Sequence, residues 1–308
     1  MTAVPFHIVD VFAEQRYAGN QLAVFRNARG LSSEEMQKIA KEMGFSETTF
    51  IPSDVERDGG YDVRIFTPAA EVPFAGHPTL GTAYIIRQEI LRQPVQQVVL
   101  NLQVGQIPVR FDRQSDGRDI LWMTPKEATF GEVIDAGELA SLLTVDRADI
   151  DTESPIQSVS TGLPFILLPL RSLDAVRRAG VVRDKWLDWV KDRPAKMLFV
   201  FCRQAVDPGN HIHARAFADY YGIVEDPATG SANSCFAAYL VKHRYFGTDQ
   251  IDVRVEQGYE IGRPSLIHLR ARRSGERIEV NVGGKVIPVA RAELIRIRKN
   301  SCAPVKIG

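Results

Sequence analysis

Glu71-Val-Pro-Phe-Ala-Gly-His77 is the first copy of a pattern that the second half of the chain repeats as Glu225-Asp-Pro-Ala-Thr-Gly-Ser231. Both copies fit E-x-P-x-x-G-[H/S]. Each opens a run that contains no Asp, Glu, Lys or Arg, at residues 72–86 and 227–241, although 25% of the chain is charged. Two uncharged runs with the same start indicate one structural unit that is used twice.

Each uncharged run is predicted to form a helix. Pro78 suits the first helical position of the first run, and Ser231 is a good N-cap for the second. A helix without a charged face has no side that favours water, so both helices are expected to be enclosed by protein. Both are too short to span a membrane, which takes about 20 apolar residues. We therefore predict two buried helices, each wrapped by its own sheet.

The starts of these helices are candidate binding sites. The first backbone N–H groups of a helix have no partner within it, and the helix dipole is positive there, so a carboxylate or a phosphate is favoured. If the two halves of the protein face each other, both helix starts contribute to one cleft.

Other segments repeat in the same order. Arg64-Ile-Phe66 precedes Glu71, and Arg215-Ala-Phe217 precedes Glu225 with three more residues in between. Earlier in each half, Gly19-Asn-Gln-Leu-Ala-Val-Phe25 resembles Gly162-Leu-Pro-Phe-Ile-Leu-Leu168, a tight turn that leads into an apolar strand. This shared order favours a duplication.

Length and charge limit the possible architectures and partners. A chain of 308 residues has the size at which single cores divide. We predict domains at residues 1–125 and 126–308, with the last strand able to return to the first domain. Lys plus Arg and Asp plus Glu both number 38, so no net field attracts nucleic acid or an anionic membrane. A small molecule is the expected partner.

Targeting, redox and cofactor motifs are not found in the sequence. The N-terminus lacks the features of a signal peptide, which predicts a cytoplasmic protein. Cys202, Cys235 and Cys302 have no paired spacing, so we expect reduced structural thiols rather than disulfides or a zinc site. Without G-x-G-x-x-G, P-loop or H-E-x-x-H motifs, no cofactor and no metal are predicted.

Local patterns predict an α+β protein, because strands and helices mix without regular βαβ alternation. Ser32-Ser-Glu-Glu35 has the spacing of a capping box before an amphipathic helix, which Gly44 should end. Residues 45–51 are predicted to be extended. Residues 125–151 are predicted to be helical and to join the two halves.

Several of these segments resemble the motifs of the PhzF-like family of phenazine-biosynthesis isomerases, and the resemblance covers nearly the whole chain. It implies a diaminopimelate-epimerase-like fold, in which two similar domains each wrap a mainly antiparallel, barrel-like sheet around a central buried helix. The active site would lie between the domains, and the resemblance also implies a homodimer. The segments that carry it are Phe45-Ser-Glu-Thr-Thr-Phe50, Phe66-Thr-Pro68, Glu71 to Thr79, Glu225 to Ala232, Gln257-Gly258 and Gly262-Arg-Pro-Ser265.

Glu47 is the candidate acid/base. In an extended segment Phe45, Glu47, Thr49 and Ile51 share one face, which sets a carboxylate among largely apolar neighbours. Desolvation would raise its pKa and let it accept and return a proton near neutral pH. The residues alone also allow a glutamate that points to solvent or caps a neighbour. The family motif implies that Glu47 is the catalytic glutamate.

The other candidate site residues lie at the two helix starts. Taken alone, His77 is a hydrogen-bonding residue at a helix end and Asp226 belongs to a turn. The resemblance implies that His77 binds substrate or relays protons and that Asp226 assists Glu47. It also implies that Ser231, with the backbone amides of Gly76 and Gly230, holds the substrate carboxylate.

The resemblance implies a cofactor-independent isomerase that moves a proton within a small unsaturated or cyclic carboxylic or amino acid. For the named enzyme of the family, that acid is trans-2,3-dihydro-3-hydroxyanthranilate. One alternative is an amino-acid epimerase or racemase of the same fold, and another is a non-catalytic metabolite-binding protein. Such epimerases use two cysteines at the helix starts, where this chain has His77 and Ser231. Cys235 lies one turn further on and has no counterpart in the first half.

Overall fold

A computed structural model of the protein describes residues 3–295, which contain nineteen strands and six α-helices. The strands are β1 Val4–Val11, β2 Asn20–Phe25, β3 Glu47–Phe50, β4 Tyr61–Asp62, β5 Arg64–Phe66, β6 Glu71–Val72, β7 Gln97–Leu102, β8 Gly105–Arg113, β9 Asp119–Met123, β10 Thr129–Val133, β11 Gln157–Ser160, β12 Pro164–Pro169, β13 Met197–Cys202, β14 Ile212–Ala218, β15 Ile223–Asp226, β16 Gln250–Gln257, β17 Ser265–Ser274, β18 Arg277–Gly284 and β19 Val286–Leu294. The helices are α1 Ser33–Met43, α2 Gly76–Ile85, α3 Ala136–Ala140, α4 Leu173–Arg178, α5 Arg183–Val190 and α6 Gly230–Lys242.

The strands form two mixed, mainly antiparallel sheets. One has the order β19-β1-β2-β3-β5-β6, and the other runs β10-β11-β12-β13-β14-β16-β17-β18-β9-β8-β7-β4, with β15 paired to β14. The pairs β2/β3, β4/β7, β12/β13 and β14/β16 are parallel. The α+β class predicted from the sequence is confirmed.

The two uncharged segments are the buried helices α2 and α6. Every residue of α2 except Tyr84 is buried, and in α6 only Ser231 and Lys242 are not. Helix α2 contacts β1, β2, β3, β7, β8, β9 and β19, whereas α6 contacts β11, β12, β16, β17 and β18. Each helix is therefore enclosed by sheet, as the lack of a charged face predicted.

The two halves repeat the same strand arrangement. The series β1-β2-β3-β5-β6 matches β11-β12-β13-β14-β15, including the parallel pairing of the second strand with the third. The three additional residues before the second signature coincide with a short 3₁₀ turn, Asp219–Tyr221. The sequence echoes thus correspond to equivalent strands in the fold.

The chain passes between the halves near its end. Strand β19 pairs antiparallel with β1, and β18 pairs with β9. The larger sheet is consequently continuous from the strands around α6 to the strands around α2. This continuity holds the two buried helices in a fixed relation, which is what a site between them requires.

Three local expectations are settled by the structure. The capping box is confirmed, because Ser32 Oγ accepts the Glu35 N–H while the Glu35 carboxylate accepts the Ser32 N–H, and Gly44 ends α1 in the left-handed conformation. Residues 125–151 are not mainly helical: they contain β10 before the short helix α3. Pairing of β10 with β11 supplies backbone partners that the local sequence does not reveal.

Helices α2 and α6 begin at other residues than the sequence predicted. Helix α2 begins at Gly76, so Pro78 occupies the third helical position and not the first. Helix α6 begins at Gly230, so Thr229 is the N-cap residue and Ser231 is the second residue of the helix. The Thr229 hydroxyl makes no capping hydrogen bond to the helix and instead donates to Asp226.

Packing of α2 against its sheet depends on Gly81. A methyl group there would lie 2.5 Å from Leu22 Cδ2 and 2.9 Å from Val11 Cγ2. Gly81→Ala should therefore lower the free energy of unfolding by about 1–3 kcal/mol, since an overpacked core must shift. Urea unfolding followed by circular dichroism measures this loss.

The double variant Gly81→Ala/Leu22→Val tests the stated cause. Shortening Leu22 removes the methyl group that would clash, so the two losses should be less than additive by at least about 0.5 kcal/mol. Strict additivity would show that the packing of Gly81 against β2 is not the reason for the glycine.

Candidate active site

The starts of α2 and α6 touch each other. A methyl group on Gly76 would lie 3.2 Å from Gly230 Cα, and one on Gly230 would lie 3.3 Å from Gly76 Cα. The Met123 methyl group and the Phe12 ring close the junction on its apolar side. A side chain at either position would crowd the other glycine, and the close approach brings the first amides of the two helices into one place.

These amides form the polar part of the junction. The N–H groups at the first positions of α2 and α6 have no partner within their helices, and both dipoles are positive at this end. Ser231 is half-buried at the second position of α6. Gly76, Gly230 and Ser231 are therefore together in a region suited to an anionic group.

Glu47 reaches the same junction from the first residue of β3. Helix α1 ends at Gly44, and the chain then enters β3 with Glu47 and Thr49 on one face. That face is directed at α2, because Thr49 Oγ1 lies 2.8 Å from Thr82 Oγ1. Glu47 Oε2 lies 3.5 Å from Nε2 of His77, and the Glu47 side chain is only 18% exposed.

The environment of Glu47 favours its protonated form. Burial, followed by the negative charge of Asp226, raises the pKa of Glu47 from 4.5 to about 8. Its Oε2 atom is buried and has no hydrogen-bond partner among residues 3–295. A carboxyl that no donor stabilises in its charged form is able to gain and lose a proton near neutral pH.

His77 is a neutral neighbour of Glu47. Burial lowers the pKa of His77 to about 3, and a hydrogen bond to the backbone of Gln21 offsets only part of this effect. Nε2 has no hydrogen-bond partner in the described chain, so the bond to Gln21 uses Nδ1. The hydrogen bond to Gln21 raises the pKa of His77, so in this bond the ring is the donor and Nδ1 carries the hydrogen. In the neutral ring Nε2 then has a free lone pair, and this lone pair faces Glu47.

Asp226 is the second carboxyl of the site, and unlike Glu47 it is surrounded by donors. Asn20 Nδ2 donates to its Oδ1 at 2.9 Å, and the Thr229 hydroxyl donates to its Oδ2 at 2.6 Å. Burial raises the pKa of Asp226 to about 6, while bonds from Thr229, Asn20 and Ser46 oppose the rise. The two carboxyls therefore differ, and Asp226 is the one that ionises first.

The glutamates that open the two signatures have a structural role. Glu71 accepts two bonds from Arg64, at 2.8 and 2.6 Å, and Glu225 accepts two from Arg215, at 3.1 and 2.7 Å. Each pair clamps the short hairpin that leads to a helix start. The repeated arginines were visible in the sequence, but their partners were not identified there.

Sequence reasoning missed the polar residues that support Asp226. Asn20 had been noted only as part of a turn, and Gln257 only as part of a C-terminal motif. The structure brings both against the loop before α6, where Asn20 also donates to Ala228 O at 3.0 Å. Thr229 was inside the signature but had no assigned role. A polar residue that is fully buried, as Gln257 is, could have been found only through its tertiary partners.

Arg263 joins the two halves beside the site. It donates to Asp10 Oδ1 at 2.7 Å and to the carbonyl oxygens of Ala18 and Gly19 at 2.6 and 3.0 Å. These contacts hold the segment before Asn20 against the turn at residues 258–264. Arg263 is thus a structural link between halves.

Comparisons with known proteins agree with this architecture. A family model described as phenazine biosynthesis-like protein, PhzC-PhzF, matches residues 9–292. The chain belongs to the PhzF family. A trans-2,3-dihydro-3-hydroxyanthranilate isomerase of Pseudomonas aeruginosa is 34% identical over 93% of this chain and 98% of its own length. An uncharacterized isomerase of Clostridium acetobutylicum is also 34% identical, over 93% of this chain and 96% of its own length.

A solved PhzF-family structure shares the fold. The phenazine biosynthesis protein of Bacillus anthracis superposes with a TM-score of 0.88 at 27% identity, covering 96% of this chain and all of its own. The present PhzF-family protein is an isomerase by these relationships, and its two-domain α+β fold is the family's.

The cysteines of this PhzF-family isomerase lie away from the helix starts or outside the described residues. Cys202 and Cys235 are buried, and burial raises the pKa of each thiol to about 11. Cys302 lies outside residues 3–295. Within that range no three His, Cys, Asp or Glu side chains are grouped as metal ligands, and no helix has the length and apolar character needed to cross a membrane.

The burial of Glu47 has a consequence for stability. Because folding raises its pKa, the folded protein keeps a proton that the unfolded chain releases above its ordinary pKa of 4.5. Stability should therefore fall as pH rises from about 4.5 to about 8. Glu47→Gln removes this titration, so the variant should be more stable than the parent protein by a margin that grows over the same interval.

Urea unfolding of both proteins at about pH 5, 6.5 and 8 measures that margin. Asp226 is present in both proteins, so its own titration largely cancels in the difference. A margin that stays constant with pH would mean that the Glu47 carboxyl is solvated in the folded protein.

Proposed function

We propose that this isomerase is cofactor-independent and moves a proton within a small unsaturated or cyclic carboxylic or amino acid. The observation that supports this most directly is the unpartnered Glu47 carboxyl, with a pKa near 8, beside two helix starts in contact. Such a reaction needs one group that exchanges protons near neutral pH and one region that binds the substrate anion.

The proton transfer would proceed in two steps. Ionised Glu47 takes a proton from a C–H group, and the electron pair of that bond moves into the conjugated system towards the substrate carboxylate. Protonated Glu47 then returns the proton to a different carbon of the same system. The amides of Gly76, Gly230 and Ser231 stabilise the negative charge that develops between these steps.

His77 and Asp226 would control the state of Glu47. The Nε2 lone pair of neutral His77 accepts a hydrogen bond from protonated Glu47 and fixes the direction of its carboxyl. Ionised Asp226 keeps a negative charge nearby, which increases the affinity of Glu47 for the proton. A base with raised proton affinity removes a weakly acidic C–H proton more readily.

The first compound to test is trans-2,3-dihydro-3-hydroxyanthranilate, because it gives its name to a relative at 34% identity over nearly the whole length. It is a cyclic, unsaturated amino acid whose carboxylate and conjugated ring match the chemistry of the site. The relationship supports the reaction class more strongly than it supports this particular acid.

An amino-acid epimerase of the same fold is the second candidate, since an epimerase also removes and returns one proton. Inversion with two bases would need acid/base groups on both sides of the substrate. The pairings of β3 with β5 and of β13 with β14 make Glu47 and Met197 equivalent, so the second half has no matching carboxyl. Ser231 likewise takes the position of His77. This asymmetry favours a single acid/base.

Glu47→Gln tests the proposed role. The variant should lose on the order of 10²- to 10⁴-fold in kcat, because it keeps the shape of the side chain but cannot carry a proton. Substrate binding should change little, since the helix-start amides remain. Glu42→Gln on the exposed surface of α1 is the matched control and should keep full activity. Wild-type turnover in Glu47→Gln would exclude Glu47 from the mechanism.

Reaction in deuterium oxide separates the two candidate functions. The proposed isomerase should carry the substrate's own hydrogen to the receiving carbon, with deuterium entering there only to the extent that protonated Glu47 exchanges with solvent between the two steps, and it should leave the configuration of amino acids unchanged. Exchange at the α-carbon of an amino acid with inversion would identify an epimerase instead.

A further inference from the structure

Gln257 is fully buried behind the loop that carries Asp226 and Thr229. Its Oε1 accepts the Thr229 backbone N–H at 3.2 Å, and its Nε2 donates to the Asp226 backbone oxygen at 2.8 Å. A backbone N–H can only donate and a carbonyl oxygen can only accept. These two contacts therefore fix which end of the amide is oxygen and which is nitrogen.

The orientation of Gln257 determines the direction of the Thr229 hydroxyl. The second hydrogen of Gln257 Nε2 is donated to Thr229 Oγ1 at 2.9 Å. Because that oxygen already accepts a bond, its single hydrogen is free to point elsewhere, and Asp226 Oδ2 lies 2.6 Å away. The result is a directed chain of donors from Gln257 through Thr229 to Asp226.

The other oxygen of Asp226 also meets a donor of fixed direction. Asn20 is 2% exposed, and its Nδ2 hydrogens are used by Asp226 Oδ1 and by the carbonyl oxygen of Ala228. Since Ala228 O accepts only, the Asn20 amide cannot be reversed. Both oxygens of Asp226 thus receive hydrogen bonds, which favour its ionised form. Glu47 Oε2, in contrast, meets no donor.

We propose that Gln257 is a positioning residue which, through the Thr229 hydroxyl, keeps Asp226 ionised and so assigns the proton of the two-carboxyl site to Glu47. Without this chain the two buried carboxyls would compete for one proton. Protonation of Asp226 would remove the negative charge that raises the proton affinity of Glu47, and ionised Glu47 would then be a weaker base for the first step.

The charged and titratable groups around Asp226 are consistent with this role. Glu47 of β3 and Glu225 of β15 oppose its ionisation, and Arg215 of β14 neutralises Glu225 through two bonds. His77 at the start of α2 is uncharged because burial lowers its pKa to about 3. Arg263 is bonded to Asp10 and not to Asp226. Hydrogen-bond donors are therefore the main groups that stabilise the ionised form of Asp226.

The consequence for catalysis rests on the proposed function, but the donor chain can be tested without a substrate. The protein is labelled with ¹³C at the aspartate side-chain carboxyl, and the Asp226 resonance is assigned by its loss in Asp226→Asn. Titration then gives the pKa of Asp226 directly in each variant. Failure of the proposed function would appear separately, as unchanged turnover in Glu47→Gln.

Thr229→Val removes the hydroxyl and keeps the branched shape of the side chain. The pKa of Asp226 should rise by about one to two pH units, since one bond to the charged form is lost. Thr229→Ser keeps the hydroxyl and should titrate like the parent protein. Gln257→Met should also raise the pKa of Asp226, because the Thr229 hydroxyl is no longer directed at this carboxylate.

Ser234→Ala is the matched control. Ser234 is a buried hydroxyl near the start of the same helix, but it donates to Gly230 O at 2.8 Å and does not contact Asp226. Its loss should leave the Asp226 titration unchanged. The proposal is overturned if Gln257→Met leaves the Asp226 pKa at the parent value, if Thr229→Val titrates like Thr229→Ser, or if Ser234→Ala moves the Asp226 pKa as far as Thr229→Val does.

Discussion

The contact between Gly76 and Gly230 is the constraint on which the rest of the structure depends. It brings the starts of two buried helices together, so that amides from both halves of a duplicated chain meet at one point. Each helix can end there because a sheet encloses it along its length. The Arg64–Glu71 and Arg215–Glu225 pairs hold the hairpins that deliver the chain to these two starts.

The duplicated strands and helices form the framework of the candidate site, and the positions at which the two halves differ carry its acid/base groups. Glu47 has Met197 as its counterpart, and His77 has Ser231, so each half contributes groups that the other lacks. The Oε2 atom of Glu47, from the first half, meets no donor among the described residues, whereas both oxygens of Asp226, from the second half, accept hydrogen bonds. Their different surroundings separate the two protonation states. This separation has a cost to stability, because the folded protein releases the Glu47 proton at a higher pH than the unfolded chain does.

Much of the fold was predictable from the sequence because the uncharged runs and the repeated signature are local patterns. They indicated the two buried helices, the duplication and the candidate site residues at the helix starts, whereas Glu47 was proposed from the extended segment 45–51 and from the family motif. Residues 125–151 were mispredicted because β10 is stabilised by its pairing with β11, a contact between distant segments. The roles of Asn20 and Gln257 escaped prediction for the same reason, since their partners lie 206 and 31 residues away in the chain.

The most direct test of this account is the titration of Glu47 itself. In protein labelled with ¹³C at the glutamate side-chain carboxyl, the resonance that disappears in Glu47→Gln identifies this residue. Closure of the two helix starts over an unpartnered carboxyl predicts a titration midpoint of about 8. A midpoint near the ordinary glutamate value of 4.5 would contradict it, because Glu47 would then be hydrated and the junction open to water.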